Sequence, residues 1–293
     1  MSNKTAIVVG AGILGLATAR ALAEKGYEVT VIEKSQFSLG ASVRNFGMLW
    51  PVGQPDGILY DRSVRTKEIW VDYLDAAGIP YNACGSLHLA YSKEEMNVVE
   101  DIAQFFQSKN RPVSVIDKDT VLANYNGINE NGLLGALRSE DEIIIDPREG
   151  IKHLPAYLTQ KYGVSFIWGT AITSVTSHAA FAGKTKYAAD IVCVCSGQDF
   201  ETLYPDQFKA QPIIKTKLQM MRFKHKDPNY KIGASVCGGL SLLHYKSFHA
   251  SSALTKLRLK IEEEIPEYLK YGIHVMVSQN NEGELTVGDS HEY

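Results

Sequence analysis

The sequence lacks the features that covalent cross-links, a metal centre or a strong electrostatic field would need. It has four cysteines in 293 residues, too few for a disulfide framework at this size. Cys84 and Cys237 stand alone. Cys193 and Cys195 share a C-x-C inside the apolar run 191–195, where alternate side chains point to opposite faces of a strand. No C-x-x-C exists, so burial in a reducing, cytoplasmic compartment is the expectation for all four. Thirty Lys+Arg against 33 Asp+Glu leave a net charge of −3, too little to draw nucleic acid or anionic lipid. No nucleic-acid partner is expected. No apolar run reaches the roughly 20 residues of a transmembrane span. The apolar opening 6–9 is broken by Gly10, Gly12 and Gly15, which also excludes a signal h-region. The eight histidines show neither H-x-x-x-H nor H-E-x-x-H spacing, so no metal site is expected. A G-x-S-x-G elbow and a P-loop are absent as well.

What is present is an ordinary globular composition, 45% hydrophobic and 22% charged, long enough for about two domains. The first sixty residues carry the strongest signal. Residues 5–9 (TAIVV) read as a buried strand, residues 14–25 as an Ala- and Leu-rich helix ended by Gly26, and residues 28–32 (EVTVI) as a second buried strand. Between the first strand and the helix lies Gly10-Ala-Gly12-Ile13-Leu14-Gly15, a G-x-G-x-x-G. Gly10 permits the tight turn, Gly12 the approach of a pyrophosphate, and Gly15 close packing of helix on strand. Phosphates would face the free N–H groups at the helix N-terminus. Glu33 stands 23 residues after Gly10, where a carboxylate accepts ribose hydroxyls and repels a 2′-phosphate. A dinucleotide with free ribose hydroxyls is expected. The fingerprint alone does not separate FAD from NAD, and an NAD-dependent dehydrogenase is the distant alternative. The next segment favours FAD, because a polar stretch with Gly40, Ser42, Arg44, Asn45 and Gly47 replaces the second crossover helix usual in an NAD domain.

With the segments 8–34, 41–47 (ASVRNFG), 146–150 (DPREG) and 192–197 (VCVCSG), the sequence resembles the D-amino-acid-oxidase-like (DAO) family of FAD-dependent oxidoreductases over most of its length. The wording SVRNFGMLWP and the closing GDSHEY are most similar to a bacterial branch associated with phosphonate utilisation. The resemblance implies an α/β fold, a Rossmann-type FAD-binding domain interleaved with an α+β substrate domain on an antiparallel sheet. It assigns residues 1–80 and 146–210 to the first and 81–145 and 211–293 to the second. It implies FAD contacts at Gly10, Gly12, Ile13, Leu14, Gly15, Glu33, Lys34, Ser42, Arg44, Asn45, Phe46, Gly47, Ala171, Ile172, Ser196 and Gly197. It also implies oxidation of a small amine (amino acid, N-methyl amine or aminophosphonate) by hydride transfer to flavin N5 and imine hydrolysis, with O₂ or a quinone as electron acceptor. The family's closing flavin-contacting segment is expected beyond Tyr293, so the chain reads as a truncated member. A catalytically impaired FAD-binding member is the second reading.

Further along, helices are expected over 59–77, from a capping box at Ser92 through about 109, over a short stretch after Asp117, and from Pro147 to about 162. Strands are expected over 85–91 and at 135–138. The runs 164–168, 171–175 and 187–195 read as strands of the nucleotide sheet. The runs 218–223, 240–245, 273–277 and 284–287 read as strands walling the substrate, with a helix over 255–271 interrupted at Pro266. An anionic substrate needs a cation. Arg44 and His291 are the expected substrate contacts, with Arg222 and Lys217 as further candidates. For each, a solvent-facing charge is the alternative.

Overall fold

The computed structural model describes residues 4–292 as a mixed α/β protein. The chain divides into two compact units, Met1–Asn45, Asp75–Ile79 and Pro147–Lys215 in the first, and Phe46–Leu74, Pro80–Asp146 and Thr216–Tyr293 in the second. Residues 46–74, expected with the nucleotide domain, fall in the second unit.

The first unit is built on a four-stranded parallel sheet in the order Ile191–Val194, Thr5–Val9, Glu28–Ile32, Ser165–Ile167. Its two inner strands are near-continuous apolar runs, as a sheet covered on both faces requires. The helix Ile13–Glu24 buries Gly15, Leu16 and Ala19, one face at helical spacing. The helix Pro147–Tyr162 buries Ile151, Leu154 and Leu158 in the same manner.

Two expectations fail in this unit. The run 171–175 does not join the nucleotide sheet. The strand there is Ser174–Thr176, and it pairs antiparallel with Ala179–Ala182, which pairs with Thr185–Ala188. The two intervening turns, the second at left-handed Gly183 (φ 58°), fold this stretch into a three-stranded meander. Nor is 187–195 one strand. It breaks at Ala189–Asp190 because the Asp190 carboxylate accepts from Thr5 N (2.6 Å) and Thr5 Oγ1 (3.0 Å), pinning the chain before Ile191–Val194 begins. That last strand is half-buried rather than fully buried.

The second unit carries a seven-stranded sheet in the order Lys217–Lys224, Glu284–Glu292, Met276–Gln279, Ser235–Cys237, Ser86–Ala90, Gly135–Ser139, Val113–Asp117. It is antiparallel except where Ser235–Cys237 runs parallel to Ser86–Ala90. The helix Lys93–Ser108 opens on the expected capping box, with Ser92 Oγ accepting from Glu95 N and the Glu95 carboxylate accepting from Ser92 N. It buries Val98, Val99, Ile102, Ala103 and Phe106. The run 240–245 is a helix, Leu240–His244, not a strand. Leu242 and Leu243 are both buried, as they would also be in a strand covered on both faces, so the apolar run carries no pattern that separates the two. The terminal strand extends through Glu292, so His291 lies within it rather than after it.

Candidate functional site

The first unit holds a cavity of about 440 Å³ at the carboxyl ends of its parallel strands, where ligands lie in open α/β sheets. Its floor is the glycine turn. Gly10 has φ 105°, and a Cβ there would lie 2.3 Å from Cys195 O. A Cβ on Gly15 would lie 1.9 Å from Gly10 O, so the helix reaches the strand only without a side chain. Gly12 faces the cavity, where a Cβ would meet Ser42 Oγ at 3.2 Å. That hydroxyl accepts from Ile13 N (2.9 Å) and so sits at the positive end of the helix.

Glu33 closes the second strand. Its carboxylate accepts from Ala11 N (2.8 Å) and Ser35 N (3.0 Å), one bond per oxygen, which leaves each oxygen acceptor capacity for a ribose hydroxyl. Ala171, Ile172, Ser196 and Gly197 line the same cavity. Gly197 is left-handed (φ 61°). Lys34 Nζ donates to Asp199 Oδ2 at 2.6 Å, and this bond, with further ones from Thr202, holds the Asp199 carboxyl down to about 2. Asp199 lines the cavity and was missed in sequence. The donor set of helix N-terminus, small hydroxyl and paired carboxylate is that of a pyrophosphate next to a ribose. The residues present therefore fit the adenosine diphosphate half of FAD.

The remaining expected contacts fall in different places. Ile13 and Leu14 are exposed at the helix start, where the Ile13 N–H is taken by Ser42 Oγ. Arg44 lines the cavity and has no ion-pair partner among the described residues. Asn45 donates through Nδ2 to Ala41 O and Ser42 O, locking the loop that carries Ser42. Phe46 and Gly47 belong to the second unit, where Phe46 O accepts from Ser278 Oγ (2.8 Å) and Gly47 O from Ile145 N (2.9 Å). Arg222 faces Asp146 (3.6 Å) and Glu284 (3.2 Å), and Lys217 faces Glu292 (2.9 Å). Both face carboxylates in the second unit. A second hollow in the first unit, about 670 Å³ and lined by Ile151, Phe166 and Trp168, has neither the Gly10–Gly15 turn nor Glu33 among its walls.

His291 stands in a cluster in the second unit. His274 Nε2 lies 3.4 Å from Asp289 Oδ1, and His291 Nε2 3.4 Å from Asp289 Oδ2. The His244 ring stacks on His274 with centroids 3.9 Å apart. Burial, with His244 and His291 alongside, pushes His274 down to about 3, so the ring is neutral and its approach to Asp289 is not an ion pair. Sequence spacing could not find this group, because its members come from separate elements. The one local signal was the alternation of Asp289 and His291.

Fold and pocket together define a dinucleotide-binding protein. A family model described as FAD dependent oxidoreductase (DAO) matches residues 5–285, and the chain belongs to that family, whose cofactor is FAD. Among curated relatives, the tRNA 5-methylaminomethyl-2-thiouridine biosynthesis bifunctional protein MnmC of Campylobacter concisus is 22% identical over 70% of this chain and 32% of its own. Its namesake from Azoarcus is 33% identical over 30% of this chain and 15% of its own. The chain thus spans about a third or less of these relatives. Among solved structures, glycine oxidase from Bacillus cereus superposes with a TM-score of 0.72 at 16% identity, covering 99% of this chain and 72% of that one. FAD-bound L-alpha-glycerophosphate oxidase from Mycoplasma pneumoniae gives 0.71 at 19%, covering 100% and 72%. These likenesses show the fold. No helix among the described residues is long and apolar enough to cross a membrane.

Proposed function

We propose that the protein oxidises a small amine that carries an anionic group, an aminophosphonate or amino acid, using FAD held in the first unit. The observation that carries the reading is the cavity lined by Gly10, Gly12, Glu33, Ser42, Ser196 and Gly197, with Gly15 letting the helix pack onto the Gly10 turn, in a member of the FAD family. Bound there, FAD would supply the acceptor for two electrons and a hydrogen from the C–H beside the substrate nitrogen. Water then adds to the resulting imine and releases a carbonyl compound and the amine or ammonia. The electron acceptor for the reduced cofactor would be O₂ or a quinone.

Within this reading the chain's own residues bind and orient. Glu33 takes the ribose hydroxyls and Ser42 the pyrophosphate. Arg44, exposed on the cavity wall, adds a positive charge there. Its place favours the phosphates of the cofactor over the substrate. His291 is the substrate-side candidate of the second unit. Names of relatives support an amine, since one carries a methylaminomethyl group and another is a glycine oxidase.

The test is anaerobic mixing of the FAD-loaded protein with 2-aminoethylphosphonate, its N-methyl derivative, N-methylglycine and D-alanine. Bleaching of the visible flavin band by at least one of them, with return of the band on admitting air or a quinone, supports the reading. A protein that binds FAD but is bleached by none overturns amine oxidation and leaves an FAD-binding member without turnover. A protein that takes up no FAD overturns the pocket assignment itself.

A further inference from the structure

We propose that His274, Asp289 and His291 bind one divalent transition-metal ion. The backbone brings the three together. Asp289 N donates to His274 O (3.2 Å) and His274 N to Asp289 O (3.4 Å), so the two residues sit directly opposite each other. Asp289 and His291 are two apart on the strand Glu284–Glu292, and so project from the same face. The register Met276↔Gly288 places this at one end of the paired strands.

The spacing suits an ion better than it suits hydrogen bonds. Both imidazole–carboxylate separations are 3.4 Å, whereas a charge-assisted N–H···O bond closes to about 2.7–2.9 Å. Two ligand atoms each about 2.0–2.1 Å from a tetrahedral ion lie about 3.4 Å apart. One donor atom from each residue fits within a sphere of mutual distances up to 4.8 Å. The second, independent observation is an unmet need. Asp289 is 7% exposed and His274 4%, yet Asp289 Oδ1 and His274 Nδ1 are buried without a hydrogen-bond partner. A buried carboxylate oxygen left unpaired is costly; a bound cation removes that cost.

Two imidazoles and one carboxylate select a d-block ion such as Zn²⁺ over Mg²⁺ or Ca²⁺, which prefer all-oxygen shells. Three protein ligands leave a fourth position for water or an anionic oxygen. His244, stacked face to face on His274, shields the group without joining the ligand set. The site lies wholly within the second unit and does not depend on the amine-oxidation reading.

The experiment uses the full chain, stripped with a chelator and desalted. Zn²⁺ is added, excess is removed, and bound metal is measured by mass spectrometry. The expected result is one ion retained per chain, with a rise in Tm on adding Zn²⁺. Asp289→Asn and His291→Gln should each weaken Zn²⁺ binding by more than the roughly 10–100-fold that loss of an outer-shell partner costs, while FAD uptake stays unchanged. His291→Gln gives the answer should Asp289→Asn fail to fold. The proposal is overturned by wild-type protein that retains no stoichiometric Zn²⁺, or by folded variants that retain as much as wild type.

Discussion

In the nucleotide-binding unit the polar contacts at the cavity are made largely by backbone. Ile13 N, Ala11 N and Ser35 N are the donors, and the side chains they meet, Ser42 and Glu33, accept. The seven-stranded unit buries more ionisable side chains: Glu142 accepts from Ser86 Oγ as well as from Val52 N, His88 lies among aromatic rings, and His274 faces Asp289. The first arrangement reads a ligand by shape, through places where a side chain is forbidden. The second stores desolvated ionisable groups inside one sheet, with consequences for pH and for ions. A substitution should therefore act through sterics in the first unit and through protonation or ligation in the second.

The largest effect tests the first half of that contrast. Gly15→Val puts a side chain where a Cβ already meets Gly10 O at 1.9 Å, and neither partner is a flexible side-chain end. The turn must open, and FAD uptake, measured by titration of the flavin band, should be lost. Uptake within about tenfold of wild type, a difference of about 1.4 kcal/mol, would break the claim that the cradle is set by backbone approach.

The next effect tests the second unit. His88 is fully buried, 5.7 Å from the Trp50 ring and 4.9 Å from Phe248, and neither ring nitrogen has a partner. Burial pushes its pKa from 6.5 down to about 3. Between those values the unfolded chain holds a proton that the folded chain refuses, so stability falls as pH drops through this window, by up to about 1.4 kcal/mol per pH unit. Above the unfolded value the histidine is neutral in both states and contributes no such slope. His88→Phe should flatten the acid limb of stability against pH and leave neutral stability similar or higher. Identical acid limbs in denaturant titrations at successive pH values would show that His88 is not the group responsible.

The same contrast explains what the sequence could announce. Gly10, Gly12, Gly15 and Glu33 lie within one β-α-β stretch, and their spacing is imposed by turn, helix and strand lengths, so the motif is local. Ser92 with Glu95 is local for the same reason. The cluster of His244, His274, Asp289 and His291 joins a short helix, the segment just before the strand Met276–Gln279, and the strand Glu284–Glu292, and only their pairing aligns it. No spacing rule over a single chain segment contains that information. The helix Leu240–His244 went unread for a related reason: a short apolar run has no period that separates a helix from a strand buried on both faces. The meander 174–188 was misplaced because alternation marks a strand but not its neighbour.

A smaller effect separates the local signals that hold helices from those that hold ligands. Ser92→Ala removes the acceptor for Glu95 N and should cost about 1 kcal/mol of stability with FAD affinity unchanged, read by denaturant titration beside FAD titration. A change in FAD affinity as large as the change in stability would mean that the second unit shapes the cofactor site more than its own contacts indicate.

The smallest effect lies on the cavity wall. Asp199 accepts from Lys34 Nζ, Thr202 N and Thr202 Oγ1, and the Lys34 bond is the chief reason its carboxyl is held from 3.8 down to about 2. A carboxyl lowered in the folded state adds stability that is fully present above the unfolded value and is lost as pH falls through the folded one. Lys34 is 59% exposed, so solvent screening keeps the pair's worth to about 1 kcal/mol or less. Asp199→Asn should therefore open a small stability gap from wild type that is constant above pH about 4 and closes near pH 2. FAD affinity should change by less than about tenfold, because the ribose and pyrophosphate are read by Glu33 and by N–H groups that do not depend on Asp199. A gap that closed instead between pH 6 and 7 would point to a histidine rather than to this pair, and a loss of FAD affinity as large as that of Gly15→Val would show that a side-chain ion pair, not the backbone cradle, governs the first unit.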